Sequence, residues 1–161
     1  VVRDVLETAL AQPSGRVRVA VAALDRDYRR SLRPQFATGY DVDPDEGVLL
    51  PIEGSIAGLV WKSAASRLEI VPIKTQLNLP GPENRLRRKL LWREMAWVFC
   101  IPISHPDTDT VRFVVQIDGS TPLPTTPAVA AAFDRIERDV TEFFNLIIRE
   151  LAEREDDDGL A

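Results

Sequence analysis

The chain is 161 residues long, 45% hydrophobic and 28% charged, with a formal net charge of −5. That length predicts one domain, able to bury about 70% of the surface of its unfolded form without a metal or disulfide staple. The acidic balance argues against nucleic acid as the main partner, and a single cysteine (Cys100) and a single histidine (His105) exclude an internal disulfide, a Cys-rich metal centre and a multi-histidine metal site.

Val2, Val5, Leu6, Ala9 and Leu10 recur at helical spacing, and Pro13-Ser14-Gly15 stops them; this predicts an amphipathic first helix. Residues 16–24 are rich in valine and begin in alternation, as a strand does. Residues 25–30 form a polar turn, and 31–38 a second strand. Pro34 inside it suits an edge or a bulge, because proline cannot donate to a ladder. Residues 39–47 are acidic and turn-rich, and 48–52 form a short apolar strand. Ser55 is placed to cap a short helix with Ile56, Leu59 and Val60 on one face. A short strand at 67–72 and a proline-rich loop at 74–82 follow, and then a short basic helix at 84–94.

The strongest strand signals are 96–104 and 110–118, joined by the hairpin loop HPDTD. A proline-rich loop at 119–127 leads to the clearest element. From Ala128 to about Glu153, apolar residues fall at Val129, Phe133, Ile136, Val140, Phe143, Ile147 and Leu151. Steps of three and four make a long amphipathic helix, and Phe144 and Ile148 widen its stripe. The acidic close of the chain reads as a tail or the start of a linker, so the expected division is a domain at 1–153 and a tail at 154–161. The chain begins at Val1 rather than Met, and the expectation is a domain cut from a longer protein. No apolar run approaches the ~18–20 residues of a membrane span, and residues 1–12 lack the basic start and apolar centre of a signal peptide. The expected location is the cytoplasm. Strands in the middle with helices at both ends predict an α+β fold: an antiparallel sheet of five or six strands, terminal helices on one face, and short helices and loops over a pocket on the other.

The order of these elements resembles a GAF domain, a small-molecule-sensing and dimerising module related in fold to PAS domains. The segment Leu50-Pro51-Ile52-Glu53-Gly54-Ser55-Ile56-Ala57-Gly58-Leu59-Val60 resembles that family's glycine-spaced turn and helix. Trp97-Val98-Phe99-Cys100-Ile101-Pro102-Ile103 resembles its apolar strand ending in "vPl", 111–117 its following strand, and 133–151 its closing helix. The likeness runs over about 2–151. Two departures are Arg112-Phe113, where the family often has a glycine, and the proline-rich loop at 74–83. The resemblance implies a non-enzymatic sensory or regulatory domain of a signalling or transcription-control protein, binding a small molecule, forming a homodimer, or both.

Within that resemblance, the covalent and redox specialists are disfavoured. Bilin-binding members have a histidine near their cysteine, whereas Ile101 follows Cys100; the methionine sulfoxide reductases of this fold use several cysteines, and this chain has one. The Asn-Lys…Phe…Asp-Glu pattern of cyclic-nucleotide binders is absent, and a loop histidine beside Pro106 gives haem no support. The glycines Gly54 and Gly58 lack the Lys-Ser/Thr of a phosphate loop and read as chain turning and close helix packing. Cys100, mid-strand in an apolar run, reads as a small buried hydrophobe. Alternation puts Trp97, Phe99, Ile101 and Ile103 on one strand face and Val98, Cys100 and Pro102 on the other; in the next strand Phe113, Val115 and Ile117 oppose Arg112, Val114 and Gln116. The ligand-pocket candidates are accordingly Trp61, Trp92, Trp97, Cys100, Arg112 and Gln116. The dimer-interface candidates are Val129, Phe133, Ile136, Val140, Phe143 and Ile147, where a stripe must serve both the sheet and a partner. The basic stretch Arg85, Arg87, Arg88 and Lys89 supports an alternative, a ligand-free adaptor that docks an acidic protein partner through 84–94; one such helix makes too few phosphate contacts to hold DNA.

Overall fold

The computed structural model describes residues 2–10, 13, 15–40, 48–70, 94–105 and 107–158, with side chains as far as Arg149. Among them are three helices and six strands: α1 (Val2–Leu10), β1 (Val17–Leu24), β2 (Ser31–Thr38), β3 (Leu50–Pro51), α2 (Ile56–Ser63), β4 (Arg67–Ile70), β5 (Trp97–Ser104), β6 (Val111–Gly119) and α3 (Pro127–Asp158). The strands form one antiparallel sheet in the order β3-β2-β1-β6-β5-β4. The apolar segment at 48–52 pairs with β2 only through Leu50 and Pro51. The basic stretch at 84–93 lies outside the described residues. None of the described helices is long and apolar enough to cross a membrane. The last helix runs to Asp158, into the acidic stretch.

Two cores follow from the two faces of the sheet. Val19, Ile117 and Phe99 stand in register across β1, β6 and β5. Together with Trp97, Ile101 and Val115 they meet Leu6 of α1 and Val129, Phe133 and Ile136 of α3. The ring of Phe133 stands edge-on to both Trp97 and Phe99, at 5.3 and 5.1 Å between centroids, a favoured aromatic geometry. Trp97 fits because glycine lies opposite it in the ladder: a Cβ on Gly119 would sit 2.2 Å from the indole ring. On the opposite face, Val98, Cys100 and Val114 pack against Ile56, Ala57 and Val60 of α2.

Local chemistry sets the joints. Ser55 caps α2, its Oγ accepting from Gly58 N at 2.9 Å while donating to the Pro51 carbonyl at 2.6 Å. The β1–β2 turn is held by Asp25, whose Oδ1 accepts from Tyr28 N (2.6 Å) and Asp27 N (3.0 Å) while Oδ2 accepts from Arg33. The Tyr28 amide, followed by the Arg33 guanidinium, holds the Asp25 carboxyl below its ordinary range. Pro34 sits at a bulge: Val21 faces Phe36 and Ala22 faces Pro34, leaving Gln35 unpaired in the ladder. The sequence expectation for Pro34 is met at this bulge.

Candidate functional site

Strand alternation brings four polar or sulfur-bearing side chains together on the sheet face away from α1 and α3. Arg18 on β1 faces Asp118 on β6, and Gln116, two residues back, faces Ala20 on one side and Cys100 on the other. The Arg18 guanidinium makes a forked bond to Asp118, Nε to Oδ1 at 2.7 Å and Nη2 to Oδ2 at 3.1 Å. Gln116 Nε2 donates to Asp118 Oδ2 at 3.2 Å, and the Cys100 thiol lies 4.0 Å from Gln116 Oε1. The Tyr40 ring covers the guanidinium, with Arg18 Cζ 4.2 Å from its centroid, an arrangement that favours a cation. Arg18 and Asp118 are only 1% and 0% exposed.

The neighbouring arginine positions the cover. Arg16 lies two residues before Arg18, and its Nη2 donates to the carbonyls of Gly39 (2.6 Å) and Tyr40 (2.9 Å), with Nε also on Gly39 (3.0 Å). Gly39 is required there. Its φ is +80°, and a Cβ would come within 2.6 Å of the Val17 carbonyl oxygen. Arg16 thus ties the end of β2 to the start of β1 and holds Tyr40 over Arg18.

The strip is buried, with Arg18, Asp118 and Cys100 at 0–1% and Gln116 at 8% exposure. Its cation and anion face each other in a low-dielectric interior, so the pair carries little net charge. Burial pushes the Cys100 thiol far above its ordinary range, and the nearby Asp118 charge pushes it the same way. The thiol therefore stays protonated at neutral pH and is a poor nucleophile. Alkylation of the native protein at neutral pH is expected to be very slow, becoming as fast as for a free thiol once the chain is unfolded in denaturant; fast, selective labelling of the folded protein would instead revive an enzymatic role. His105 stands apart at the β5–β6 hairpin, its Nδ1 accepting from Asp107 N at 3.2 Å. Among the described residues no cluster of His, Cys, Asp and Glu could hold a metal ion.

The sequence candidates are dispersed by the fold. Cys100 and Gln116 lie in the strip, and Trp61 is half-buried against the same core. Trp97 is placed on the opposite face, under α3, because its strand parity differs from that of Cys100. Arg112 shares the parity of Gln116 but is exposed near the start of β6. Trp92, Arg85, Arg87, Arg88 and Lys89 lie outside the described residues. Of the helical stripe, Val129, Phe133 and Ile136 are buried in the chain's own core against the sheet. Val140 is half-buried, and Phe143 and Ile147 are exposed. These three line an apolar groove of about 420 Å³ between α3 and the β1–β2 side of the sheet, where Phe36 forms the opposite wall. Sequence reasoning missed Arg18, Asp118 and Tyr40. The available signal was an arginine standing where alternation in a valine-rich strand calls for an inward residue, and an aspartate two positions after Gln116.

No protein-family model and no curated protein matches the sequence. Solved structures do match the fold. The GAF domain of a two-component sensor histidine kinase from Bacillus halodurans is 11% identical, with a TM-score of 0.58 over 94% of this chain and 96% of that one. The second GAF domain of DevS from Mycobacterium smegmatis is 17% identical, with a TM-score of 0.57 over 96% and 93%. A free methionine-R-sulfoxide reductase from Thermoplasma acidophilum is 10% identical, with a TM-score of 0.56 over 83% and 78%.

Proposed function

Starting from this chain's GAF-like fold, we propose that it is a sensory or regulatory domain that binds a small molecule beside the Arg18–Asp118–Gln116 strip and works as a homodimer. The observation that carries the reading is the strip itself. A buried ion pair often gives no more stability than well-packed apolar side chains of the same volume, so we read its place on the two central strands, beside the apolar core under α2, as serving another role. The strip fixes polar groups beneath an apolar surround, as the wall of a small-molecule site does, and Gln116, at 8% exposure, is its most accessible member. Ligand contact there would bear on β1 and β6, the strands that also carry the core under α1 and α3, and so would reach the terminal helices. The protonated Cys100 favours a non-enzymatic role, although one protein of this fold is named as a reductase. In this reading the domain is cytoplasmic and serves a signalling or transcription-control protein.

Native mass spectrometry of freshly purified protein tests the ligand. A retained small molecule is expected on the wild-type chain and a reduced share on Gln116→Leu, which keeps the volume and removes the amide. Retention of the same mass in equal amount by both proteins would move the site away from the strip. A bare wild-type mass, together with no thermal shift from any member of a metabolite panel, would oppose the sensor reading.

A further inference from the structure

The sheet face that packs against α1 and α3 carries a trough on its β1–β2 side. Its apolar half is the groove of about 420 Å³ between Phe36 of β2 and Phe143 and Ile147 of α3, with Val19 and Val21 of β1 in its floor. Its polar half is a second hollow of about 370 Å³ at the β1–β2 turn, lined by Asp25, Arg26, Asp27 and Arg33. Gln35 lines both. Phe113, in the wall of the polar half, lies 6.4 Å between ring centroids from Phe144, in the wall of the apolar half. The two hollows therefore run on from one another.

The bulge at Pro34 makes this continuity. Val21 and Ala23 of β1 share a face, and they stand opposite Phe36 and Arg33. Residues three apart in a regular strand point to opposite faces, and the extra residue of the bulge, Gln35, returns them to one. A phenylalanine and an arginine thus stand on the same face, separated by about 7 Å along the strand.

The polar half has donors to spare. Asp25 is engaged on both oxygens, which take the amides of Asp27 and Tyr28 and the Arg33 Nε. Among the described residues, the two Nη groups of Arg33 and the whole Arg26 guanidinium make no hydrogen bond. The turn from Asp25 to Arg33 holds four arginines and two aspartates. Arg30 stands near Glu53, and the balance at this end stays positive in a chain whose net charge is −5.

We propose that the trough binds a single-tailed organic anion, a medium-chain carboxylate, with its tail between Phe36 and the Phe143–Ile147 side of α3 and its carboxylate on Arg33 and Arg26. The occupant follows from size, exposure and charge. The apolar half falls within the roughly 300–1,000 Å³ of small-molecule sites. Its walls are left open to solvent, Phe36 at 61% and Phe143 at 58% exposure, and facing exposed apolar walls mark an interaction site. One apolar end and one cationic end match one tail and one anionic head, and guanidinium groups hold carboxylates with paired N–H donors. The trough lies on the face opposite the Arg18–Asp118 strip, so it is a second site, distinct from the one proposed there. Its occupant would bridge β2 and the far half of α3.

Calorimetric titration of the full chain tests it, with decanoate below its micelle concentration, decanol as the same tail without charge, and butyrate as the same head on a short tail. Decanoate is expected to bind once per chain, decanol about tenfold more weakly, and butyrate more weakly by about a hundredfold or more. Phe36→Glu puts a charge into the apolar wall at an exposed side chain; it is expected to weaken decanoate about tenfold or more and to leave thermal melting unchanged. Arg26→Gln/Arg33→Lys removes the fork and still leaves Asp25 a cation. This double variant is expected to bring decanoate down to the affinity of decanol and to leave decanol itself unchanged. A chain that takes up no decanoate at millimolar concentration overturns the site, and so does uptake that Phe36→Glu leaves intact. Equal affinities for decanoate and decanol on the wild-type chain overturn the anionic head and the proposal with it. Sedimentation equilibrium covers the other occupant: a wild-type dimer that Phe36→Glu disperses, with no uptake of decanoate, would seat a second copy in the groove and overturn the proposal.

Discussion

Asp118→Ala is expected to destabilise the folded chain by about 3–5 kcal/mol, the cost of breaking a buried ion pair from one side. The reason lies in what remains. Arg18 is 1% exposed and keeps its charge at any accessible pH, so the guanidinium would lose its forked carboxylate partner while still shut away from water. Gln116 would lose an acceptor at the same stroke. Replacing both partners, as in Arg18→Met/Asp118→Leu, removes the charges together and is expected to recover most of the loss. Denaturant unfolding measures both, provided the slope with denaturant stays constant across the series. A loss under about 1 kcal/mol for Asp118→Ala would mean that water reaches the pair and that the strip is open. The double variant also divides stability from function: in the proposed reading it folds and no longer retains the small molecule.

Gly58→Val should be the most damaging change of a single small residue on the α2 side. A Cβ at this position would lie 2.2 Å from the Ile52 carbonyl oxygen and 2.6 Å from its carbon and Cα. All three are backbone atoms, so no side chain can swing aside. The residue is helical with an ordinary φ, and the requirement is close approach rather than a special turn. Overpacking costs about 1–3 kcal/mol in typical cores, and a clash against the backbone of Ile52 belongs at or above the top of that range. Because Ser55 bonds both Pro51 and Gly58, displacing α2 also strains the cap. The neighbouring change Leu59→Ala, at a side chain 40% exposed, is expected to cost less than about 1 kcal/mol. Equal melting temperatures for the two variants would show that α2 can shift away from Ile52 freely.

Much of the fold was legible because it depends on short-range periodicity. Alternation in 96–104 and 110–118 separated Trp97, Phe99 and Ile101 from Cys100, and Val115 and Ile117 from Gln116, and the structure keeps both divisions. The steps of three and four along 128–153 reappear as α3, and Ser55 caps α2 as its position suggested. The candidate site was legible only in part. Cys100 and Gln116 were legible as pocket candidates, yet the pair beside them, Arg18 and Asp118, lies 100 residues apart in the chain. Grouping the tryptophans at one pocket wall failed for Trp97, since aromatic size says nothing about which face a strand residue takes.

The amino-acid sequence by itself determined which residues share a face, where helices begin and which stripe of the last helix is apolar, because a strand period of two and a helix period near 3.6 are local properties of the backbone. Tertiary structure alone decided what covers each face. The order β3-β2-β1-β6-β5-β4 sets β1 beside β6, and only that adjacency turns Arg18 and Asp118 into a pair and gives Gln116 its carboxylate. It likewise split the stripe of α3, burying Val129, Phe133 and Ile136 while leaving Phe143 and Ile147 outside, because the helix outruns the strands that could cover it. A 32-residue helix is about 48 Å long, and an eight-residue strand is about 27 Å.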